Sequence, residues 1–336
     1  MVERVSGATD TSAKGSDSPQ KFQTRQVALT GATGFIGARI LTSLTNGGWQ
    51  VRALYRPKKG RMPPKLSGVE WVPGGLDDEA SLESLMNGVA LVVHCAGAVR
   101  GATREDFDKV NEAGAKLVAQ VAARQPKLPR FLLISSLAAR EPQLSHYAGS
   151  KHRGELAIKS VSEQMRWSII RPPAVYGPGD RELLPLFQSI KKGLAPLPGG
   201  GRGRFSMLYV DDLASAVLAW ASTDTSHKKT FELDDGRPNG YDWDDVISIG
   251  SSILRNNMPV RRIAIPISLL RFFAEINYGL ARLLNYAPML TPGKIREITH
   301  SDWVCENNEF AQLVDWSPKF RLERGLACIF DKNNKA

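Results

Sequence analysis

A tyrosine followed four residues later by a lysine, Tyr147 and Lys151 in YAGSK, is a pair whose types and spacing could move a proton. On a helix, residues four apart share a face, so the phenol and the ammonium would act on one neighbourhood. A phenol near pKa 10 donates and accepts protons poorly at neutral pH unless a cation stabilises the phenolate, and Lys151 is the expected cation. A third group should polarise the substrate oxygen. Ser135 and Ser136 close the apolar run Phe131 to Ile134, and because strand residues alternate faces only one of them points inward. The chemistry these groups could do is acid/base catalysis at a carbonyl or carbinol oxygen. By itself Y-x-x-x-K is common on helices, and it takes its meaning from a glycine-rich segment upstream.

That segment is Leu29 to Gly37, LTGATGFIG, which follows the run QVALT and opens the helix-like stretch FIGARILTSLTNGG. Strand, glycine turn and helix together form the context of a dinucleotide fingerprint: Gly31 for the tight turn, Gly34 for approach of the pyrophosphate, Gly37 for close helix packing, with the phosphates at the positive helix end. Thr33, Phe35 and Ile36 complete the expected cofactor-binding turn. An NAD site usually places an acid roughly 20 residues further on, at the end of the second strand. Tyr55 and Arg56 stand there instead, and Val51 to Lys65 holds six cations (Arg52, Arg56, Lys58, Lys59, Arg61, Lys65) and no acid. A 2′-phosphate would find charge-assisted partners in such a loop, so NADP(H) is the expected cofactor, with NAD as the alternative and a merely solvated basic loop as the plainer reading.

The elements that must position these groups alternate: QVALT, FIGARILTSLTNGG, WQVRALYR, ALVVHCAG, RFLLISS and WSIIRPPAV. Alternation of this kind predicts parallel βαβ units, and the near-continuous apolar runs Ala90 to His94 and Phe131 to Ile134 predict a sheet covered on both faces. The expected fold is α/β, a doubly wound parallel sheet of the Rossmann type with a smaller mixed C-terminal substrate domain. After Tyr176, glycine and proline concentrate in GPGDRELLP and LAPLPGGGRGR, and the regular winding is expected to stop. Residues 1–24 read as a disordered tail, 25–175 as the dinucleotide-binding domain, to which 205–222 should return, and 176–336 as mainly substrate-binding.

TGATGFIG, VVHCAG (Val92 to Gly97), VNEAG (Val110 to Gly114), ISS, YAGSK, RPPAVYGPGD (Arg171 to Asp180) and YVDDLA (Tyr209 to Ala214) together resemble the extended short-chain dehydrogenase/reductase family. That family includes nucleotide-sugar epimerases, dehydratases and 3β-hydroxysteroid dehydrogenases, and the resemblance covers roughly Val27 to Leu326. It implies that Tyr147 exchanges a proton with the substrate oxygen, that Lys151 lowers its pKa and binds the nicotinamide ribose, and that Ser136 is the active hydroxyl, with Ser135 as fallback. Asn111 matches a position that orders a helix and water near the lysine; a plain polar contact in a helix interior is the equal alternative. Ala96 and Gly97 fall beside the cofactor, and Pro173 and Val175 match the loop against the nicotinamide. Near the adenine the family often has Asp before Leu, whereas here Gly75 precedes Leu76, so Asp77 or a backbone contact would have to serve.

Leu269, Phe273, Ile276, Leu280 and Leu283 recur at helical spacing, with Leu270, Phe272 and Leu284 flanking and Arg271, Glu275, Tyr278 and Arg282 opposite. An amphipathic helix follows. Core or lid packing is the ordinary reading of its apolar face; the other is a surface grazing an anionic membrane and admitting a lipid-like ketone. The resemblance to the steroid-dehydrogenase-like branch fits a reductase of a long-chain ketone or steroid. A nucleotide-sugar epimerase or dehydratase is the first alternative, and a non-catalytic cofactor-bound assembly subunit the second. The net charge of +10 favours anionic partners, but its cations are scattered and no nucleic-acid module is visible, so the expected partner is a small molecule, with a homodimer and peripheral membrane contact as further expectations. With 42% hydrophobic and 23% charged residues the chain is neither disordered throughout nor fibrous. Cys95, Cys305 and Cys328 match no zinc or disulfide framework, no signal peptide or spanning segment is read, and the expected location is cytoplasmic, touching at most the inner face of the membrane. His94 and Cys95 have no second pair at ligand spacing, so no metal site is expected, and no G-x-S-x-G elbow suggests a serine nucleophile.

Overall fold

A computed structural model describes residues 25–57, 62–161, 163–224, 228–284 and 286–331. The N-terminal tail and three cations of the basic loop, Lys58, Lys59 and Arg61, lie outside the described residues, as does the side chain of Arg282. Strands β1 (Gln26–Thr30), β2 (Gln50–Tyr55), β3 (Val69–Pro73), β4 (Leu91–His94), β5 (Arg130–Ile134) and β6 (Trp167–Arg171) are joined by Lys229–Glu232 in one seven-stranded sheet. Its order is Lys229–Glu232, β6, β5, β4, β1, β2, β3, with every pairing parallel. The fold is a doubly wound Rossmann-like sheet. Its winding reverses between β1 and β4, which opens a crevice at the carboxyl ends of those strands.

Both sheet faces are buried, as the continuous apolar runs require. On one side Ile40, Leu41 and Leu44 of helix Phe35–Asn46 share a core with Leu213, Val217 and Trp220 of helix Val210–Ser222. On the other, Leu82, Leu85, Val118 and Ala122 pack over Val92, Phe131 and Ile169. The strand Lys229–Glu232 corrects the expectation that winding stops at Tyr176. Four residues of mixed polarity on a sheet edge bury only one side chain well, Phe231, so their sequence pattern is weak. A third core, with Tyr176, Phe187, Leu197, Tyr241, Val246 and Leu326, builds the lobe that follows β6.

Helix Ile267–Leu284 departs further from ordinary packing. Its small residues face the protein, Ala274 at 0% and Ala281 at 1% exposure, whereas Phe272 is 60%, Phe273 53% and Leu283 80% exposed. Core packing of the Leu269, Phe273, Ile276, Leu280, Leu283 face is therefore overturned: all five are exposed. The helix is moored by its narrow side, where Asn277 Nδ2 donates to the Leu290 carbonyl at 2.9 Å. No helix among the described residues is long and apolar enough to cross a membrane.

Candidate active site

The glycine turn closes as the spacing requires. Gly31 has φ +78°, and a Cβ there would lie 2.6 Å from the Ala96 nitrogen. A Cβ on Gly37 would lie 2.0 Å from the Gly31 carbonyl oxygen, so only glycine lets helix and strand meet. Helix Phe35–Asn46 starts at Gly34 with no side-chain cap and no acid in its first turn, leaving the first N–H groups and the positive end of the helix free to face an anion. Thr33 and Gly34 are exposed and Phe35 and Ile36 half-buried around this cradle. These features fit a dinucleotide pyrophosphate.

One structural detail of the basic loop differs from the sequence reading. Arg52 is bound to Glu70 at 2.9 Å and to the Asn87 carbonyl, so it is not free for a phosphate. Arg56 is exposed at the end of β2 and forms no ion pair among the described residues. Leu76 is buried in the core, and the Asp77 carboxylate turns outward, 3.8 Å from the Lys109 ammonium.

Across the crevice, Gly97 is where three elements converge. A Cβ on it would lie 2.8 Å from Lys151 Nζ and 3.1 Å from Asn111 Oδ1. Asn111 sits in a π-helical turn, Lys109–Gly114, a distortion that favours functional sites. Its amide accepts from Ala98 N–H at 2.8 Å and donates to the Ala98 carbonyl and Ser150 Oγ, each at 2.9 Å. Asn111 thereby ties the loop after β4 to the helix His146–Val161 that carries Tyr147 and Lys151. Pro173 and Val175 are half-buried just past β6.

The two serines separate cleanly. Ser135 is buried and its hydroxyl donates to Glu155 Oε1 at 2.6 Å; Glu155 also takes Arg171 bidentately, at 2.9 and 2.6 Å. Ser136 caps the short helix Leu137–Arg140 and is hydrogen-bonded to the Tyr147 phenol. Ser136 is thus the hydroxyl beside the phenol.

The electrostatics around the phenol add a second cation to the one the sequence marks. Burial pushes Tyr147 above its ordinary value, against the opposing pull of the Ser136 hydrogen bond and of Lys294. Lys294 is a cation the sequence did not mark, while the buried Lys151 ammonium donates to the Ile134 carbonyl at 3.3 Å and burial lowers its own pKa, with Cys95 and Glu155 opposing. The phenol is therefore protonated at neutral pH. His94 is buried, hydrogen-bonded to Thr30 Oγ1 at 2.7 Å and pushed down to about 3 by burial and then by Lys151. Burial raises the Cys95 thiol to about 12.

Tyr147 opens into a cavity of about 210 Å³, walled by Val99, Phe107 and His146 on one side and by Tyr278, Pro288, Met289 and Lys294 on the other. Lys294 and Glu297 were missed in the sequence because no motif marks them. They reach the site because helix Pro292–Ile298 folds back on the catalytic helix, with Gly293 pressed so close that a Cβ would lie 2.8 Å from that of Ser145. Ser145 caps the catalytic helix through the Ala148 N–H at 2.9 Å and donates to the buried Glu297 carboxylate, which holds Lys294 at 3.1 Å. Burial lowers the Lys294 ammonium, but Glu297, with Tyr147 and Glu182, together outweigh it and the net shift is upward.

A family model for the NAD dependent epimerase/dehydratase family matches residues 27–233, which include the glycine turn, both serines, Tyr147 and Lys151. The chain belongs to the NAD dependent epimerase/dehydratase family. This member is 35% identical over 305 residues to a ceramide reductase from Caulobacter vibrioides, covering 91% of this chain and 93% of that protein. It is 23% identical to a decarboxylating sterol-4-alpha-carboxylate 3-dehydrogenase from Candida albicans, over 93% of this chain and 98% of the relative. Among solved structures, a UDP-glucose 4-epimerase from Thermotoga maritima shares its fold with a TM-score of 0.69 at 18% identity, over 90% of this chain and 97% of that one. As a member of the extended short-chain dehydrogenase/reductase branch of this family, the chain is an NAD(P)-dependent oxidoreductase.

Proposed function

We propose that this oxidoreductase reduces a ketone on a long-chain, lipid-like substrate with NADP(H). The observation that carries the reading is the Tyr147 hydroxyl, hydrogen-bonded to Ser136, at the wall of a cavity whose far side, Tyr278, Pro288 and Met289, belongs to the apolar segment around helix Ile267–Leu284. The likeness to a ceramide reductase supports the substrate class, a steroid being the neighbouring possibility on the strength of the sterol dehydrogenase.

The cofactor, when bound, supplies hydride to the carbonyl carbon. Gly31, Thr33, Gly34, Phe35, Ile36 and Gly37 would hold its phosphates, Ala96, Gly97, Pro173 and Val175 its nicotinamide half, and Leu76 its adenine through backbone. Arg56, exposed at the end of β2 and without an ion pair among the described residues, would meet a 2′-phosphate. Lys151, held between Gly97 and the Ile134 carbonyl, would bind ribose hydroxyls. Ser136 donates to the carbonyl oxygen, and Tyr147, kept protonated by burial, gives that oxygen its proton. Asn111 positions Lys151 and the helix rather than touching substrate.

NADPH oxidation across long-chain ketones, steroids and nucleotide sugars tests the proposal. Turnover of the ketones is expected, with Tyr147→Phe lowering kcat by about 10²–10⁴-fold and leaving the NADPH Kd within a factor of about two. Turnover of nucleotide sugars alone, with tightly held NAD and no net NADPH consumption, would establish the epimerase reading instead. Equal kcat/KM for NADH and NADPH, unchanged by Arg56→Ala, would remove the NADP preference.

A further inference from the structure

An exposed stripe of Phe272, Phe273, Ile276, Leu280 and Leu283 on a helix moored by alanines is unusual for a surface in water, where contiguous apolar patches mark binding sites. Scattered exposed leucines need no explanation; five large side chains within 12 residues on one side of a helix do. Core packing is excluded by the exposures, and the cavity beside Tyr147 is lined from this helix by Glu275 and Tyr278, not by the stripe, so substrate alone does not account for it.

Charge identifies what would cover it. From Arg261 to Arg296 there are six cations, Arg261, Arg262, Arg271, Arg282, Lys294 and Arg296, and one acid, Glu275. Arg262 is held by Asp244 at 2.9 Å and Lys294 by Glu297. Arg261 and Arg271 are exposed and meet no carboxylate among the described residues. A helix with an exposed apolar face and Arg271 on its other side, in a segment of excess positive charge, is the pattern of a helix lying in the interface of an anionic bilayer. A second copy of this chain fits less well, because a two-fold contact is self-complementary and would bring the same positively charged segment of both copies together.

We infer that helix Ile267–Leu284 lays its Phe272, Phe273 and Leu280 side into the headgroup boundary of an anionic membrane, which places the cavity beside Tyr147 next to the lipid surface. The inference rests on the lipid-ketone reading for its biological sense, while its test needs no turnover. The purified full chain is floated with vesicles of phosphatidylcholine alone and of phosphatidylcholine mixed with phosphatidylglycerol, at low and raised salt, and its oligomeric state is measured without lipid.

The wild type is expected to float with the anionic vesicles, less so at raised salt. Phe272→Ser, Phe273→Ser and Leu280→Ser combined should weaken binding by more than about tenfold, with NADPH binding and thermal unfolding retained because these side chains are exposed. Arg271→Glu, which removes no apolar contact, should weaken binding to anionic vesicles by about tenfold and leave any binding to neutral ones as it was. Absence of flotation by the wild type, or equal flotation of wild type and triple variant, overturns the inference. A wild-type dimer that the triple variant dissolves, without vesicle binding, also overturns it and assigns the stripe to a second copy. A protein that floats as expected yet turns over only nucleotide sugars would keep the membrane surface and lose the lipid-ketone reading.

Discussion

Tyr147 and the groups around it divide the work of proton transfer in a way that each can be tested. Burial keeps the phenol protonated and Ser136 holds its oxygen, so the reductive rate should stay flat from about pH 6 to 9, below the phenol's raised pKa; a loss of rate across that range would remove Tyr147 as the acid. The serines should differ in kind. Ser136→Ala should lower kcat and cost about 1 kcal/mol for the lost cap, whereas Ser135→Ala, which strips a donor from the buried Glu155 carboxylate, should lower stability by about 1–3 kcal/mol without a direct loss at the phenol, read by denaturant titration. His94 gives a pH signature. Its folded pKa, about 3, lies below the unfolded value near 6.5, so an unfolded chain binds a proton that the folded one refuses. The stability due to its neutral form is present above pH 6.5 and is lost as pH falls toward 3, at up to roughly 1.4 kcal/mol per pH unit. Replacement by glutamine should flatten the slope of unfolding free energy against pH by one proton in that window.

At the scale of elements, three joints fix the site. The β1 turn and its helix meet through glycine, so Gly37→Ala, whose methyl would meet the Gly31 carbonyl at 2.0 Å, should force the turn apart and weaken NADPH binding by about tenfold or more, measured by fluorescence titration. The ends of β5 and β6 are joined to the catalytic helix by Ser135, Glu155 and Arg171. Removing one partner of a buried ion pair costs about 3–5 kcal/mol, so Glu155→Ala should be far more destabilising than its distance from substrate suggests, and Arg171→Met with Glu155→Leu should recover part of the loss. The third joint sets Lys294 beside Tyr147 through Glu297 and Ser145. Lys294→Met should raise the KM for substrate more than it lowers kcat, because Lys294 faces the cavity while the proton comes from Tyr147.

For the whole molecule, the sheet's switch point and the lobe beyond β6 together frame the crevice, and a ligand that binds only this folded arrangement stabilises it. NADPH at about 100 times its Kd should add about 2.7 kcal/mol to unfolding, seen as a rise in Tm larger than that given by NADH at the same concentration. The doubly wound sheet was legible in the sequence because a strand buried on both faces must be apolar throughout and a glycine turn must sit between strand and helix. Tyr147, Lys151 and the glycines were legible for the same local reason, since the spacing of neighbours in a chain decides which side chains share a turn of helix. Strand Lys229–Glu232 was not legible, because an edge strand buries too little to leave a pattern. The bond of Ser135 to Glu155, the pairing of Arg52 with Glu70, the arrival of Lys294 beside the phenol, and the outward turn of Phe272 and Phe273 were decided only by tertiary structure. Each depends on a partner from a distant element or on which face of a helix its neighbours leave open, and the amphipathic spacing of a segment is the same whether its apolar side meets a core or a membrane.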